Sequence, residues 1–215
     1  MSVATLAPPE VPDSRKDWAV YADVLPNFWD REGVPSVSTI LAWKYGGVPD
    51  VPAVWEAVDR GKKVHHAIQL WNEDDLDWES ITGTDVEGYL AQWIEHTTGL
   101  TIVAAEQPLW AEVAGVRYVV RPDCVLGDHS GTGIVDIKTK SAKGRPPGQK
   151  EKEKHALEVA AQLVAVQQRG LANPSWRECL YLWPDKKLSV QYGEQRYIDQ
   201  WTALVAEWAE AQEEW

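Results

Sequence analysis

Between residues 101 and 139 the chain leaves helical spacing for three Val- and Ile-rich runs, 101–110, 116–126 and 133–139, with helical patterns on both sides. Branched side chains suit the pleated, half-buried surface of a sheet, so these runs predict strands. Gly127-Asp128-His129-Ser130-Gly131 has turn chemistry and folds the last two into an antiparallel hairpin. Upstream, Ser36 or Ser38 caps a short helix over 39–44 that Gly46-Gly47 stops. A longer helix covers 52–71, opened by Pro52 and carrying Val54, Val58, Val64, Ile68 and Trp71. After the acidic stretch 73–79, Thr84 and Glu87 have capping-box spacing ahead of the helical face Val86, Leu90, Trp93 and Thr97. Downstream, a Gly/Pro/Lys loop at 141–149 leads to a helix over 151–169 closed by Gly170. Strands at 178–183 and 187–192 flank Pro184-Asp185, and a final helix from Glu194 aligns Tyr197, Trp201, Leu204 and Trp208. This order predicts an α/β sandwich, a mixed β-sheet flanked by α-helices. Residues 1–34, rich in Pro and acids, read as an irregular arm, and 35–215 as a single domain.

Charge narrows the function classes. The 215 residues hold 21 Lys and Arg against 33 Asp and Glu, a formal net charge of -12, which argues against broad nucleic-acid affinity. The distribution is uneven, however. No Lys or Arg lies between Val64 and Val116, while Lys138, Lys140, Lys143, Arg145, Lys150, Lys152 and Lys154 crowd together. Such a strip reads either as a solvated loop or as a phosphate-binding surface on an acidic body. No run is long and apolar enough for a membrane span, and the first residues lack a signal-peptide pattern, so a cytoplasmic setting is expected. Cys124 and Cys179 lie in strand-like runs and are too few for a disulfide framework or an iron-sulfur cluster; they are expected to be buried thiols. Some of the 13 tryptophans, among them Trp29, Trp43 and Trp110, are candidates for stacking on bases, although packing accounts for most.

Three short signals carry chemistry: Gly61 to His65 on the long helix, Arg121-Pro122-Asp123 in the second strand run, and Asp136-Ile137-Lys138 in the third. Side chains alternate along a strand, so Asp136 and Lys138 share a face about 7 Å apart along it. If hairpin pairing sets Asp123 opposite, two carboxylates and an ammonium converge. Carboxylates with room for water form an oxygen-ligand site for magnesium or manganese. Such an ion polarises a phosphoryl oxygen and lowers the pKa of bound water, the machinery of phosphodiester hydrolysis. Plainer readings exist for each piece: a solvated ion pair for Asp136 and Lys138, a turn for Asp123, a core histidine for His65, an edge-strand charge for Glu106. Gln162, an amide inside an apolar helix, needs hydrogen-bond partners that a carboxylate or a nucleotide supplies.

In this order the residues resemble the PD-(D/E)XK nuclease superfamily, and within it the RecB-like, phage-type exonucleases. The family pattern of Gly-x-x-x-His, Asp, Asp/Glu-x-Lys and Gln-x-x-x-Tyr matches Gly61 to His65, Asp123, Asp136 to Lys138, and Gln162 to Val166. The segment from Pro35 to Leu41 also resembles the one that precedes the histidine helix in phage and mitochondrial exonucleases of this group. The resemblance implies a restriction-endonuclease-like core and a Mg2+ or Mn2+ ion held by His65, Asp123, Asp136 and the Ile137 carbonyl, with Glu106 as a further candidate. Lys138 would be the catalytic lysine, with Asp123, Asp136 and Gln162 beside it. Lys140, Lys143, Arg145 and Lys150 follow directly and would hold the phosphates of DNA. Val166 stands where the family has Tyr, and the cysteine count excludes the iron-sulfur cluster of some relatives. The implied function is a metal-dependent DNA exonuclease in phage-type recombination, replication or repair, in a bacterial host cytoplasm and partnered by a recombination or annealing protein. An endonuclease of the same fold and an inactive binding module on that fold are the alternatives.

Overall fold

The computed structural model describes residues 34–47 and 49–213; the stretch expected to be an irregular arm, up to residue 33 and including Trp29, lies outside these residues. Four helices come first, α1 (Val37–Tyr45), α2 (Pro52–Asn72), α3 (Trp78–Ile81) and α4 (Asp85–Thr97). Five strands follow, β1 (Thr101–Ala105), β2 (Leu109–Val113), β3 (Val116–Val120), β4 (Cys124–Asp128) and β5 (Gly131–Thr139). The chain closes with α5 (Gln149–Gln168), β6 (Pro174–Leu182), β7 (Lys187–Gln191) and α6 (Gln195–Glu213). One five-stranded sheet has the order β1-β4-β5-β6-β7, antiparallel except for the parallel pair β5 and β6 that α5 connects. This is the expected mixed sheet.

Alternation along the central strands separates two cores. Val125, Ile134, Cys179 and Tyr181 face α1, α5 and α6, whereas Cys124, Leu126, Val135, Ile137, Leu180 and Leu182 face α2, α3 and α4. A two-sided apolar sheet needs helices on both faces: the consecutive α2, α3 and α4 cover one, and α1 joins the C-terminal α5 and α6 on the other. Asp136, between Val135 and Ile137, therefore points towards α5, into an otherwise apolar layer.

The sequence reading differs from the structure where the strands break. Runs 101–110 and 116–126 each contain two strands: β1 and β4 join the main sheet, and β2 and β3 form a separate ribbon. The physical causes lie in the same few residues. Glu106 has a φ of 51°, and Pro108 and Pro122 lack the N–H that a continued ladder would use. The two interruptions are neighbours, since Ala105 pairs with Cys124 and Leu109 with Val120. There the Glu106 N–H donates to the carbonyls of Pro122 and Asp123. The short helix α3 within the acidic stretch was also not anticipated; Asp77 caps it by accepting from the Glu79 N–H. The expected capping box is not formed, because Glu87 reaches the N–H of Gly83 rather than that of Thr84. By contrast Ser36 caps α1 as expected, accepting from Thr39 at 3.0 Å.

Candidate functional site

The double strand break opens the sheet rim beside β5. In this region Ile137 lacks a β4 neighbour, and its backbone groups turn to side chains instead. Its N–H donates to Asp123 Oδ2 at 2.6 Å, and its carbonyl lies 3.1 Å from His65 Nε2, which donates to it. The other ring nitrogen, His65 Nδ1, stands 3.5 Å from both Glu106 Oε1 and Asp123 Oδ1. One atom each of His65, Glu106 and Asp123 falls within 4.8 Å of the others. Burial opposes a charge on His65, but Asp123 and Glu106 more than offset it and push the imidazole up to about 9. A protonated ring thus balances two carboxylates here. Burial likewise raises the Asp123 carboxyl, with His65 acting the other way. A cluster of two carboxylates and an imidazole that draws in positive charge has the donor chemistry of a divalent-cation site.

Glu106 holds this position at a backbone cost. A left-handed φ costs a non-glycine residue roughly 1–2 kcal/mol, and here it aims a carboxylate at His65. Its second oxygen forms an ion pair with Arg121, whose Nε lies 2.8 Å away, and this places the exposed guanidinium at the lip of the site.

A second group lies one residue further along β5. Lys138 Nζ is 3.0 Å from Asp136 Oδ2 and 3.0 Å from Glu158 Oε2. Gln162 Nε2 donates to Asp136 Oδ1 at 2.9 Å, and Cys179 Sγ approaches Oδ2 at 3.5 Å. The buried Asp136 carboxylate is therefore surrounded by donors, although burial itself raises its pKa. Burial would pull the Lys138 ammonium down, yet Asp136 and Glu158 hold it well above the ordinary lysine value. Gln162 Oε1 is buried without a partner, and the residue lines the same cleft, so an acceptor is left for water or substrate.

The arrangement matches the sequence reading unevenly. His65, Asp123 and Glu106 come together, with Glu106 a full member rather than a peripheral one. Asp136 stands outside that trio, and the Ile137 carbonyl is engaged by His65 Nε2. Lys140 is not free for phosphate: it pairs with Glu151 and lies over the Tyr181 ring. Lys143 and Arg145 are exposed on a loop that Trp183 Nε1 pins through the Gly144 carbonyl at 2.8 Å, and Lys150 is exposed in the first turn of α5, but the three line neither of the two clefts at the site. Val166 is fully buried in the core, so it presents nothing to the cleft at the position of the family Tyr. Trp110 lies between the guanidiniums of Arg117 and Arg169, each 4.6 Å from its ring, and is no free stacking surface. Trp43 is 43% exposed. Cys124 and Cys179 are buried free thiols.

Sequence reasoning missed Glu158. It sits one helical turn before Gln162, and the stripe Glu151, His155, Glu158 and Gln162 along α5 faces Lys140, Tyr181, Lys138 and Asp136 in turn. The helical i, i+4, i+7, i+11 spacing was the available signal.

Two clefts of about 380 and 390 Å³ adjoin the site and share Glu106, Arg121 and Asp123. One continues past Ser36, Ser38, Lys138, Glu158 and Gln162, and the other past Gly61, Lys62, His66 and Gln69. The centre is thus reached from both sides.

No protein-family model matches the chain, and no curated protein matches it. Among solved structures, a protein from Eubacterium rectale named putative exonuclease is similar in fold, with a TM-score of 0.52 at 13% identity over 92% of this chain and 84% of that one. SSO0001 aligns over 73% of this chain and 72% of its own at 16% identity, with a TM-score of 0.38. The likeness to the first is one of architecture: a nuclease-like fold with a five-stranded mixed sheet flanked by helices. Among the described residues no helix is long and apolar enough to cross a membrane.

Proposed function

We propose that this chain is a metal-dependent DNA exonuclease of the RecB-like type. The observation that carries the reading is the His65, Glu106 and Asp123 cluster set beside the Lys138, Asp136 and Gln162 group at the mouth of one cleft. His65, Glu106 and Asp123 would hold the ion, with Asp136 and the Ile137 carbonyl as the further ligands that the resemblance implies. Bound there, Mg2+ or Mn2+ would lower the pKa of a water and polarise the phosphoryl oxygen. The residues do the remainder. Lys138 presents an ammonium to the cleft, where it orients the attacking water or meets charge that develops on the phosphate. Water oxygen bonds to phosphorus as the P–O bond to the leaving nucleotide breaks; the water loses a proton to solvent, and the leaving oxygen takes one from solvent to become a hydroxyl. Gln162 Oε1 accepts a hydrogen bond from that water or from a base. Arg121, Lys143, Arg145 and Lys150 hold phosphates along the strand. A bacterial cytoplasm, a phage-type recombination, replication or repair role and an annealing or recombination partner belong to the same proposal.

The second cleft favours an alternative, an endonuclease of this fold, because a strand that leaves the centre on both sides need not present an end. A time course separates the readings: labelled linear DNA, single and double stranded, is incubated beside covalently closed single-stranded circles, with manganese and with EDTA. Loss of linear DNA alone supports the exonuclease, and cut circles support the endonuclease. Cleavage that persists in EDTA, or none with any metal, defeats the metal-dependent reading. Lys138→Ala is expected to abolish cleavage with DNA affinity nearly unchanged, measured by anisotropy in Ca2+. Asp123→Ala is expected to remove the calorimetric Mn2+ titration, and an unaltered titration would exclude it as a ligand.

A further inference from the structure

We propose that Glu158 is the positioning residue of Lys138: it keeps the ammonium at the cleft when a divalent cation competes for the carboxylate of Asp136. The inference rests on the metal-dependent reading above and adds a residue to it. Lys138 Nζ has two anchors at the same distance, 3.0 Å to Asp136 Oδ2 and 3.0 Å to Glu158 Oε2. The two anchors differ in what else they serve. Asp136 also accepts from Gln162 and Cys179 and stands next to Ile137, whose N–H fixes Asp123. Among the described residues Lys138 is the one ion-pair partner of Glu158, which comes from a different element, α5, and lines the same cleft.

A cation near His65 and Asp123 attracts the Asp136 carboxylate and repels the ammonium, so the pair on β5 weakens when the site is loaded. Lysine is a point charge on a flexible four-carbon stem and does not hold a position without a fixed counter-charge. Glu158 supplies one from rigid helix. Gln162, one turn further on, does the equivalent for Asp136, so adjacent turns of α5 hold the two groups separately.

The test uses the full chain and its Glu158→Gln and Glu158→Asp variants. The ammonium signal of Lys138, assigned by its loss in Lys138→Arg, is followed by NMR as Mg2+ is added. In the parent protein the signal should persist at saturating Mg2+. In Glu158→Gln, whose shape is nearly unchanged, it should broaden away on Mg2+ addition, while Glu158→Asp, which keeps the charge, retains it. With DNA, Glu158→Gln should lose about 100-fold in kcat with KM within about twofold, the expected effect of a displaced reacting group. A Lys138 signal in Glu158→Gln that behaves as in the parent overturns the proposal, as does an unchanged kcat in an active enzyme. If the parent protein cleaves no DNA, the nuclease reading fails while the NMR result still decides the anchor.

Discussion

At the scale of single residues, burial controls the electrostatics of the α5 stripe. His155 Nδ1 lies 2.7 Å from the Tyr181 hydroxyl, which donates to it when the ring is neutral. Burial, then the charges of Lys138, Lys140 and Lys154, depress the imidazole from 6.5 to about 2. Between those values the unfolded chain binds a proton that the native protein refuses, so stability falls as pH drops below about 6.5. One such group costs about 1.4 kcal/mol per pH unit. Compared with His155→Asn, the parent should lose about that much for each unit between pH 6 and 4 in urea unfolding. Parallel curves for the two proteins would contradict the assignment. Gln162 was legible in the sequence because an amide inside an apolar run demands a partner. Glu158 was not, since a glutamate in a helix that also carries several lysines reads as a solvated ion pair until the facing strand is known.

At the scale of elements, helix positions and the β4–β5 hairpin followed from periodicity and turn residues, but the splitting of two strand runs did not. Pro108 and Pro122 were visible as ladder breakers, but the left-handed turn at Glu106 and the departure of the β2–β3 ribbon from the main sheet were not. That departure assembles Glu106, Asp123 and Arg121. The trio was therefore harder to read than Asp136 and Lys138, whose shared face depends only on strand alternation. Helix α4 offers a test of element packing. A Cβ at Gly88 would lie 2.4 Å from the Pro184 carbonyl oxygen, in the β6–β7 turn that the Trp183 N–H closes on Lys186 O. Alanine would gain up to about 1 kcal/mol of helix propensity, but overpacking against backbone costs about 1–3 kcal/mol. Gly88→Ala should thus lower Tm by a few degrees in thermal melts; an equal or higher Tm would show that the turn yields freely. Cleavage should weaken too, because the neighbouring Tyr89 hydroxyl donates to the Lys140 carbonyl at the end of β5.

At the scale of the whole molecule, the proposed DNA substrate would require a chain of net charge -12 to confine its attraction to a few places. Arg121 marks the cleft itself, Lys143 and Arg145 stand exposed on the loop between β5 and α5, and Lys150 is exposed in the first turn of α5. Lys140 has left that set for Glu151 and Tyr181. If Lys143, Arg145 and Lys150 each neutralise a phosphate of a single strand, they contribute about 2 to the slope of log affinity against log salt, at about 0.7 for each contact. Replacing all three with Ala should flatten the slope by that amount, so that raising salt from about 50 to 200 mM costs the variant about 20-fold less affinity than it costs the parent. At saturating DNA kcat should stay near the parental value, because these side chains line neither cleft. An identical slope in the triple variant would place the strand elsewhere. The acidic body would then leave Arg121 and Lys62, the cations that line the two clefts outside the Lys138 group, as the residues to replace next.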